Sequence, residues 1–286
     1  MDDSKLPSKC IGIIGLGLIG GSLGLELQSL GYRVHGLVSK EETKNRALER
    51  GLAQSISTDP KIIANCDLII VALPLGKLIN PPEEIIKVLP EKSIVTDVGS
   101  VKKPILNRWE KLHPRFVPSH PMAGTAESGV EAGHLGLFKN RPWVVTPNNN
   151  TDNEALNVVN KLATILEANY IRTESEIHDK AVSLISHLPI IISAALIKSA
   201  INEDDSSALN LAKKIASSGF SDTTRVGGGN ATLGKEIISS NRNHILKALS
   251  TYKFSLDELE KIIIDNDWGK LKNELKNTNQ KRNEFI

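Results

Sequence analysis

The chain predicts an α/β domain built on a parallel sheet, followed by an all-α domain. Three observations carry this. Up to about residue 173, short apolar runs alternate with helical patterns, as expected of a parallel sheet covered by helices on both faces. The first apolar run opens directly into a glycine-rich turn. Beyond residue 173 the strand signals stop and only helical periodicity continues. The expected division is therefore residues 1–173 and 174–286, with no internal repeat or low-complexity linker.

Residues 11–14 read as the first strand and residues 18–30 as a helix carrying Leu23, Leu25, Leu27 and Leu30. Between them stands Gly15-Leu16-Gly17-Leu18-Ile19-Gly20. Strand, Gly-x-Gly-x-x-Gly and helix in that order make a Rossmann-type loop. Gly15 allows the tight turn, Gly17 lets the backbone approach a pyrophosphate, and Gly20 lets the helix pack closely on the strand. The helix start at Leu18 and Ile19 offers free N–H groups and a positive dipole end to phosphates.

Residues 33–38 form the next strand and 41–50 a helix. Residues 67–73 are an apolar strand ended by Pro74. Leu73 and Pro74, at its carboxyl end, either border the nicotinamide side of the crevice or simply terminate the strand. Residues 93–97 are another strand, followed by a helix to about His113. Residues 116–118 and 143–146 read as further strands, 154–167 as a helix and 170–172 as a last strand. In the second part, 175–201 reads as one long helix in which Pro189, lacking an N–H and crowding the carbonyl of Ile185, predicts a kink. Residues 205–217, 231–240, 242–252 and 255–265 are also helical in character.

Bulk properties narrow the function classes. The 286 residues suffice for two domains. A net charge of +2 gives no general attraction to nucleic acid or membrane. The first nine residues are polar and hold no signal-peptide core. Residues 181–201 are nearly long enough to span a bilayer, but Ser183, His187, Ser193 and Lys198 make a buried helix of a protein or subunit core the better reading. A soluble, cytoplasmic homodimer is expected. Cys10 and Cys66 read as small buried residues in a reducing compartment. No Cys/His cluster has metal-site spacing, so no metal is expected.

The end of the second strand bears on the cofactor. Val34-His35-Gly36-Leu37-Val38 runs into Ser39-Lys40, where an NAD enzyme would place a carboxylate on the ribose. A hydroxyl and a cation suit a 2′-phosphate, which favours NADP. Ser39-Lys40-Glu41-Glu42 also fits a capping box with Ser39 as N-cap, and both can hold at once. Glu41 offers an NAD-type ribose acceptor, which keeps NAD open.

Two segments leave strands where a substrate should lie: Thr96-Asp97-Val98-Gly99-Ser100-Val101-Lys102 and Ser119-His120-Pro121-Met122-Ala123-Gly124-Thr125. A histidine at a strand's carboxyl end is a good acid/base candidate, because its ordinary pKa lies near neutrality. Ser100 from the neighbouring strand strengthens the assignment, since Ser and His can hold and deprotonate one substrate hydroxyl. His35, His113, His134 and His244 have no motif context and read as structural or exposed.

These motifs, with Ser186-His187-Leu188-Pro189 and Asp222-Thr223-Thr224-Arg225, resemble the prephenate/arogenate dehydrogenases of tyrosine biosynthesis, over nearly the whole chain. Ser218-Gly219-Phe220 and Arg225-Val226-Gly227-Gly228-Gly229-Asn230 look most like the cyanobacterial arogenate enzymes. The resemblance implies a Rossmann domain, a helical dimerisation domain and oxidative decarboxylation of a cyclohexadienol. It implies His120 as base, Ser100 on the same hydroxyl, and Arg225 as carboxylate anchor. Thr125, His187 and His178 are further substrate-site candidates, His178 having N-terminal helix charge and capping as its alternative. The Gly227–Gly229 segment reads as a simple loop. Some prephenate-specific relatives carry a second His directly after the proline. This chain has Ile190 there, which tilts the reading from prephenate to arogenate.

Competing readings remain: a prephenate dehydrogenase giving 4-hydroxyphenylpyruvate, a β-hydroxyacid-dehydrogenase-type oxidoreductase, or a non-catalytic NADP sensor. The second lacks a convincing catalytic Lys or Asp in the helical half. The third leaves Ser100, His120 and Arg225 without a purpose.

Overall fold

The computed structural model describes residues 5–125 and 127–286. Its contacts group the chain into two compact units, Met1–Asn241 and Arg242–Ile286. In the first unit, strand β1 (Cys10–Ile14) leads through the glycine turn to helix α1 (Leu18–Ser29). Then follow β2 (Arg33–Leu37), α2 (Glu41–Glu49), β3 (Ser55–Ser57), a 3₁₀ turn (Pro60–Ile63), β4 (Leu68–Val71), α3 (Leu75–Ile79), α4 (Glu83–Ile86), β5 (Ile94–Asp97), α5 (Lys103–Trp109) and β6 (Phe116–Val117). The six strands form a parallel sheet in the order β3-β2-β1-β4-β5-β6. The order reverses between β1 and β4, the place where a crevice opens in doubly wound sheets.

The apolar runs explain the layering. In β4, Leu68 and Ile70 join Ile11, Ile13, Leu23 and Leu27 on one face, while Ile69 and Val71 join Ile14, Val95, Leu78 and Trp109 on the other. A strand buried on both faces needs apolar residues at every position, which is why this run does not alternate. β3 escapes the sequence reading because Ile56 is its single apolar residue, flanked by two serines.

The expected single parallel sheet is corrected. The later strands do not extend the parallel sheet. β7 (Ser119–Pro121), β8 (Pro142–Val145) and, after helix α6 (Asn153–Ile165), β9 (Asn169–Arg172) form a second sheet, with β7 antiparallel to β8. Pro118 supplies the reason. It has no N–H for the first ladder, and its carbonyl instead accepts from Thr146 N–H at 3.0 Å.

The rest of this unit is helical: α7 (Ser175–Val182), a π-helical turn (Ser183–His187), α8 (Leu188–Ile201), α9 (Ser206–Ile215), α10 (Ser218–Thr224) and α11 (Ala231–Ser240). The expected long helix is thus interrupted. The π turn ends just before Pro189, which occupies the first turn of α8, where its missing N–H costs nothing. The expected burial of the apolar helix is not met within this chain. Ser175–Ile201 has the length and hydropathy (mean 1.8) to cross a membrane, yet only 17% of its most apolar window is buried. The second unit holds α12 (Arg242–Ile264), one helix where two were read, and α13 (Trp268–Arg282), whose polar sequence gave no apolar stripe.

Candidate active site

The glycine loop fits a pyrophosphate by steric test. Gly15 has φ +93°, and an added Cβ would lie 2.5 Å from the Ala72 carbonyl oxygen. A Cβ on Gly20 would lie 1.9 Å from the Gly15 carbonyl oxygen, so this position admits nothing larger. Around Gly17 nothing lies within 4 Å. Two glycines therefore serve the turn, and the third leaves open space at the start of α1. No side chain caps that helix, so the amides of its first turn at Leu18 and Ile19 face the same space uncapped.

At the end of β2, Ser39 and Lys40 are both exposed. The capping box is not formed: α2 begins one residue later than that motif requires, its N-cap is Lys40, and no side chain bonds the helix end. Glu41, the NAD-type alternative, accepts from Thr58 Oγ1 at 2.7 Å and from Lys44 Nζ at 2.9 Å. These bonds hold its carboxyl below the usual range and occupy it. Leu73 is half-buried and Pro74 exposed at the start of α3. Glu236 of α11 accepts from Gly76 N–H there at 3.1 Å.

The carboxyl ends of β5 and β6 carry a buried polar network. Asp97 closes β5 and accepts from Gly99 N–H (2.8 Å) and Ser119 N–H (3.1 Å). The Lys102 ammonium, fully buried, donates to Asp97 and to the Ser119 carbonyl. Burial pulls the Lys102 ammonium's pKa down and pushes the Asp97 carboxyl up, and their mutual attraction opposes both shifts. This pair fixes the strand from which His120 projects.

His120 is buried, and its Nδ1 lies 2.9 Å from His178 Nε2. His178 Nδ1 lies 2.7 Å from Asp179 Oδ1. Asp179 also accepts from the backbone N–H groups of Lys102 (2.7 Å) and Lys103 (2.9 Å), so its carboxylate caps α5. The acceptor at one end sets every proton in the chain. His178 donates from Nδ1, its Nε2 accepts from His120 Nδ1–H, and the His120 lone pair is left on Nε2. No protein group bonds that Nε2 among the described residues. Burial chiefly, then His178, Lys102 and His187, hold His120 well below its ordinary pKa, so it is uncharged at neutral pH.

His187 belongs to the same region. Its Nδ1 faces Asn241 Nδ2 at 3.1 Å, and Asn241 also donates to the Asp179 carbonyl at 2.7 Å. His187 Nε2 is buried without a partner. Burial lowers the pKa of this imidazole to about 4, so it is a neutral ring with one unused N–H.

The structure thus brings His120, His178 and His187 into one network. It leaves His178 no free ring nitrogen. The sequence reading placed Asp179 only beside His178 and passed over Asn241 and the Asp97–Lys102 pair. Opposite charges five residues apart, directly after the apolar run of β5, were the available signal for that pair. Asn241 had none. Ser100 is half-buried in the loop after β5, and Thr125 is exposed and accepts from Glu127 N–H at 3.2 Å. Arg225 is exposed just after α10, and no hydrogen bond or ion pair ties it to the histidines among the described residues. Gly227 is more than a loop residue. A Cβ there would lie 2.5 Å from Ala194 N, and its N–H donates to Ser193 Oγ at 2.8 Å, so it lets the chain press against α8.

A dinucleotide loop at the sheet's reversal point, with an uncharged oriented histidine in a strand leaving its carboxyl side, is the equipment of a nucleotide-dependent dehydrogenase. Comparison with known proteins makes the class specific. Residues 23–172 match the prephenate dehydrogenase nucleotide-binding domain, and residues 174–277 the prephenate dehydrogenase dimerization domain. The chain belongs to the prephenate dehydrogenase family. It is 29% identical to the prephenate dehydrogenase of Bacillus subtilis, over 89% of this chain and 70% of that one. It is 37% identical to the arogenate dehydrogenase of Synechocystis, whose crystal structure superposes with a TM-score of 0.84 over 97% of this chain and 100% of that one. The prephenate dehydrogenase of Aquifex aeolicus, solved in complex with hydroxyphenyl propionate and NAD⁺, gives a TM-score of 0.90 at 26% identity, over 97% and 98% of the two chains.

Proposed function

We propose that this enzyme oxidatively decarboxylates arogenate to tyrosine, with NADP as hydride acceptor. The observation that carries the reading is the Asp179–His178–His120 relay, which leaves one lone pair on a buried, uncharged imidazole. The substrate class has a ring hydroxyl on C4 and a carboxylate on C1. Bound NADP supplies the acceptor for the C4 hydride. His120 Nε2 takes the hydroxyl proton as carbonyl character develops at C4. Its new charge is shared through Nδ1–H with His178 and stabilised by the Asp179 carboxylate. Ser100 holds the same hydroxyl. Loss of carbon dioxide from C1 then leaves an aromatic phenol, so the step runs one way.

Arg225 anchors the C1 carboxylate through its planar fork of donors. The unpartnered His187 Nε2–H is a spare donor at the substrate, and Thr125 lies in the loop that follows the base. His178 orients the base and does not contact substrate, because both its nitrogens are used. Exposed Ser39 and Lys40 hold the 2′-phosphate of NADP, and the engagement of Glu41 by Thr58 and Lys44 speaks against the NAD alternative. Ile190 favours arogenate, since it removes a donor for the pyruvyl group of prephenate. The nucleotide domain is residues 1–173. The helical domain, 174–286, buries its apolar Ser175–Ile201 face against a second copy in a cytoplasmic homodimer.

A kinetic matrix of arogenate or prephenate with NADP or NAD, followed by absorbance of the reduced cofactor, tests the reading. The expected result is the highest kcat/KM for arogenate with NADP. A wide margin for prephenate sinks the substrate assignment, and a wide margin for NAD sinks the cofactor assignment.

A further inference from the structure

Towards the other end of the main sheet lies a group of side chains that the dehydrogenase chemistry does not use. Cys10 opens β1, Cys66 precedes β4, and His35 sits in β2, so three neighbouring strands or their approaches each contribute one residue. Cys10 Sγ is 3.2 Å from Cys66 Sγ, and His35 Nδ1 is 3.7 Å from the first sulfur and 4.0 Å from the second. Among the described residues this is the one group of three whose donor atoms all lie within 4.8 Å of one another. Sequence spacing gave no sign of it.

We propose that Cys10, Cys66 and His35 bind a zinc-like dication through two thiolates and one imidazole nitrogen. A triangle with these three sides is circumscribed at a radius of about 2.1 Å, within the range of Zn–N (about 2.0–2.1 Å) and Zn–S (about 2.3 Å) bonds. An ion at or slightly above the centre therefore meets all three atoms with little movement. Two sulfurs and a nitrogen select a borderline-soft ion over calcium or magnesium. The fourth position of a tetrahedron is left for water. A cavity of about 340 Å³, lined by Pro7, Ser8, Asn65 and Asp67, reaches Cys66.

The proton and electron balance is simple. Each thiol releases its proton to solvent as the ion takes its place. His35 Nδ1 leaves the Ile62 carbonyl, 3.1 Å away, and the ring adopts the Nε2–H tautomer. No electron moves. A disulfide between the same cysteines needs an oxidant and a reactive thiolate. Both cysteines are free and buried, and each thiol carries one proton. A dication displaces that proton directly.

The test uses the reduced full-length chain, stripped with a chelator and titrated with Co²⁺ and then Zn²⁺. The expected result is one Co²⁺ per chain, a sulfur-to-cobalt charge-transfer band, its loss on adding Zn²⁺, and two protons released per ion. Cys66→Ser should weaken Co²⁺ binding about 100-fold or more, beyond the loss typical of an outer-shell change. Cys10→Ala, which adds no polar group to the core, should do the same, and circular dichroism checks that both variants fold. Absence of the band in the folded, reduced wild-type chain overturns the site. So does equal Co²⁺ affinity in wild type and folded variants, or loss of two hydrogens in air by a chain that takes up no metal when reduced.

Discussion

Ser39 and Lys40 stand in solvent at the edge of the nucleotide crevice, whereas His120, His178, Lys102 and Asp97 lie out of it. At the edge, water screens each charge and a single side chain contributes modestly. In the buried region each group needs a partner, and the partners are supplied: Asp97 for Lys102, Asp179 for His178, His178 for His120. The difference teaches where the two kinds of specificity reside. The proposed cofactor preference rests on exposed groups that can change without disturbing the fold. The proposed proton transfer rests on a network that fixes tautomers, where one altered atom is felt along the whole line.

The sharpest way to break this contrast is His120→Asn. It should lower kcat by about 10²–10⁴-fold, the usual contribution of a general base, with NADP affinity retained in a fluorescence titration. Unchanged turnover would remove His120 from the chemistry. Next in size is Asp179→Asn, which keeps the shape but lets the His178 tautomer reverse. A fall in kcat of about 100-fold with little change in KM is expected, and an equal effect on both would mark Asp179 as a substrate group instead. Smaller still is Lys40→Ala. Its kcat/KM ratio for NADP over NAD should drop about tenfold with kcat preserved, as suits one charge-assisted contact.

The smallest expected effect is on stability. His187 has a folded-state pKa of about 4, below the 6.5 of an unfolded chain, so the unfolded state binds more protons between these values. The stabilisation is complete above about pH 6.5 and is lost as pH falls towards 4. Thermal melts across this window should show the decline, and His187→Gln should flatten it. A variant with the same slope would assign the pH dependence to other groups.

How much of this was legible depends on how far apart the partners lie. The glycine loop occupies residues 15–20, and its steric needs are met mostly by its own backbone and by Ala72, so the pattern alone revealed it. Residues 68–71 showed their double burial through an unbroken apolar run. Pro118 was readable as a residue but not as the point where the sheet divides. His120 and His178 stand 58 positions apart, and Asn241 meets His187 across 54. No periodicity reports such a pairing. The Cys10, Cys66 and His35 cluster was hidden for the same reason.

The sequence by itself determined the α/β-then-α order and the nucleotide turn, and it singled out His120 as the candidate base. These follow from local rules: apolar periodicity, glycine's freedom at positive φ, and the residue types that carry a proton near neutral pH. Only the tertiary structure decided which histidine orients which, that Asp179 caps α5 while holding His178, that His187 keeps an unused N–H, and that two cysteines and a histidine meet across three neighbouring strands. Those outcomes depend on strand register and helix docking, which sum many weak long-range contacts and leave no mark at any one position in the chain.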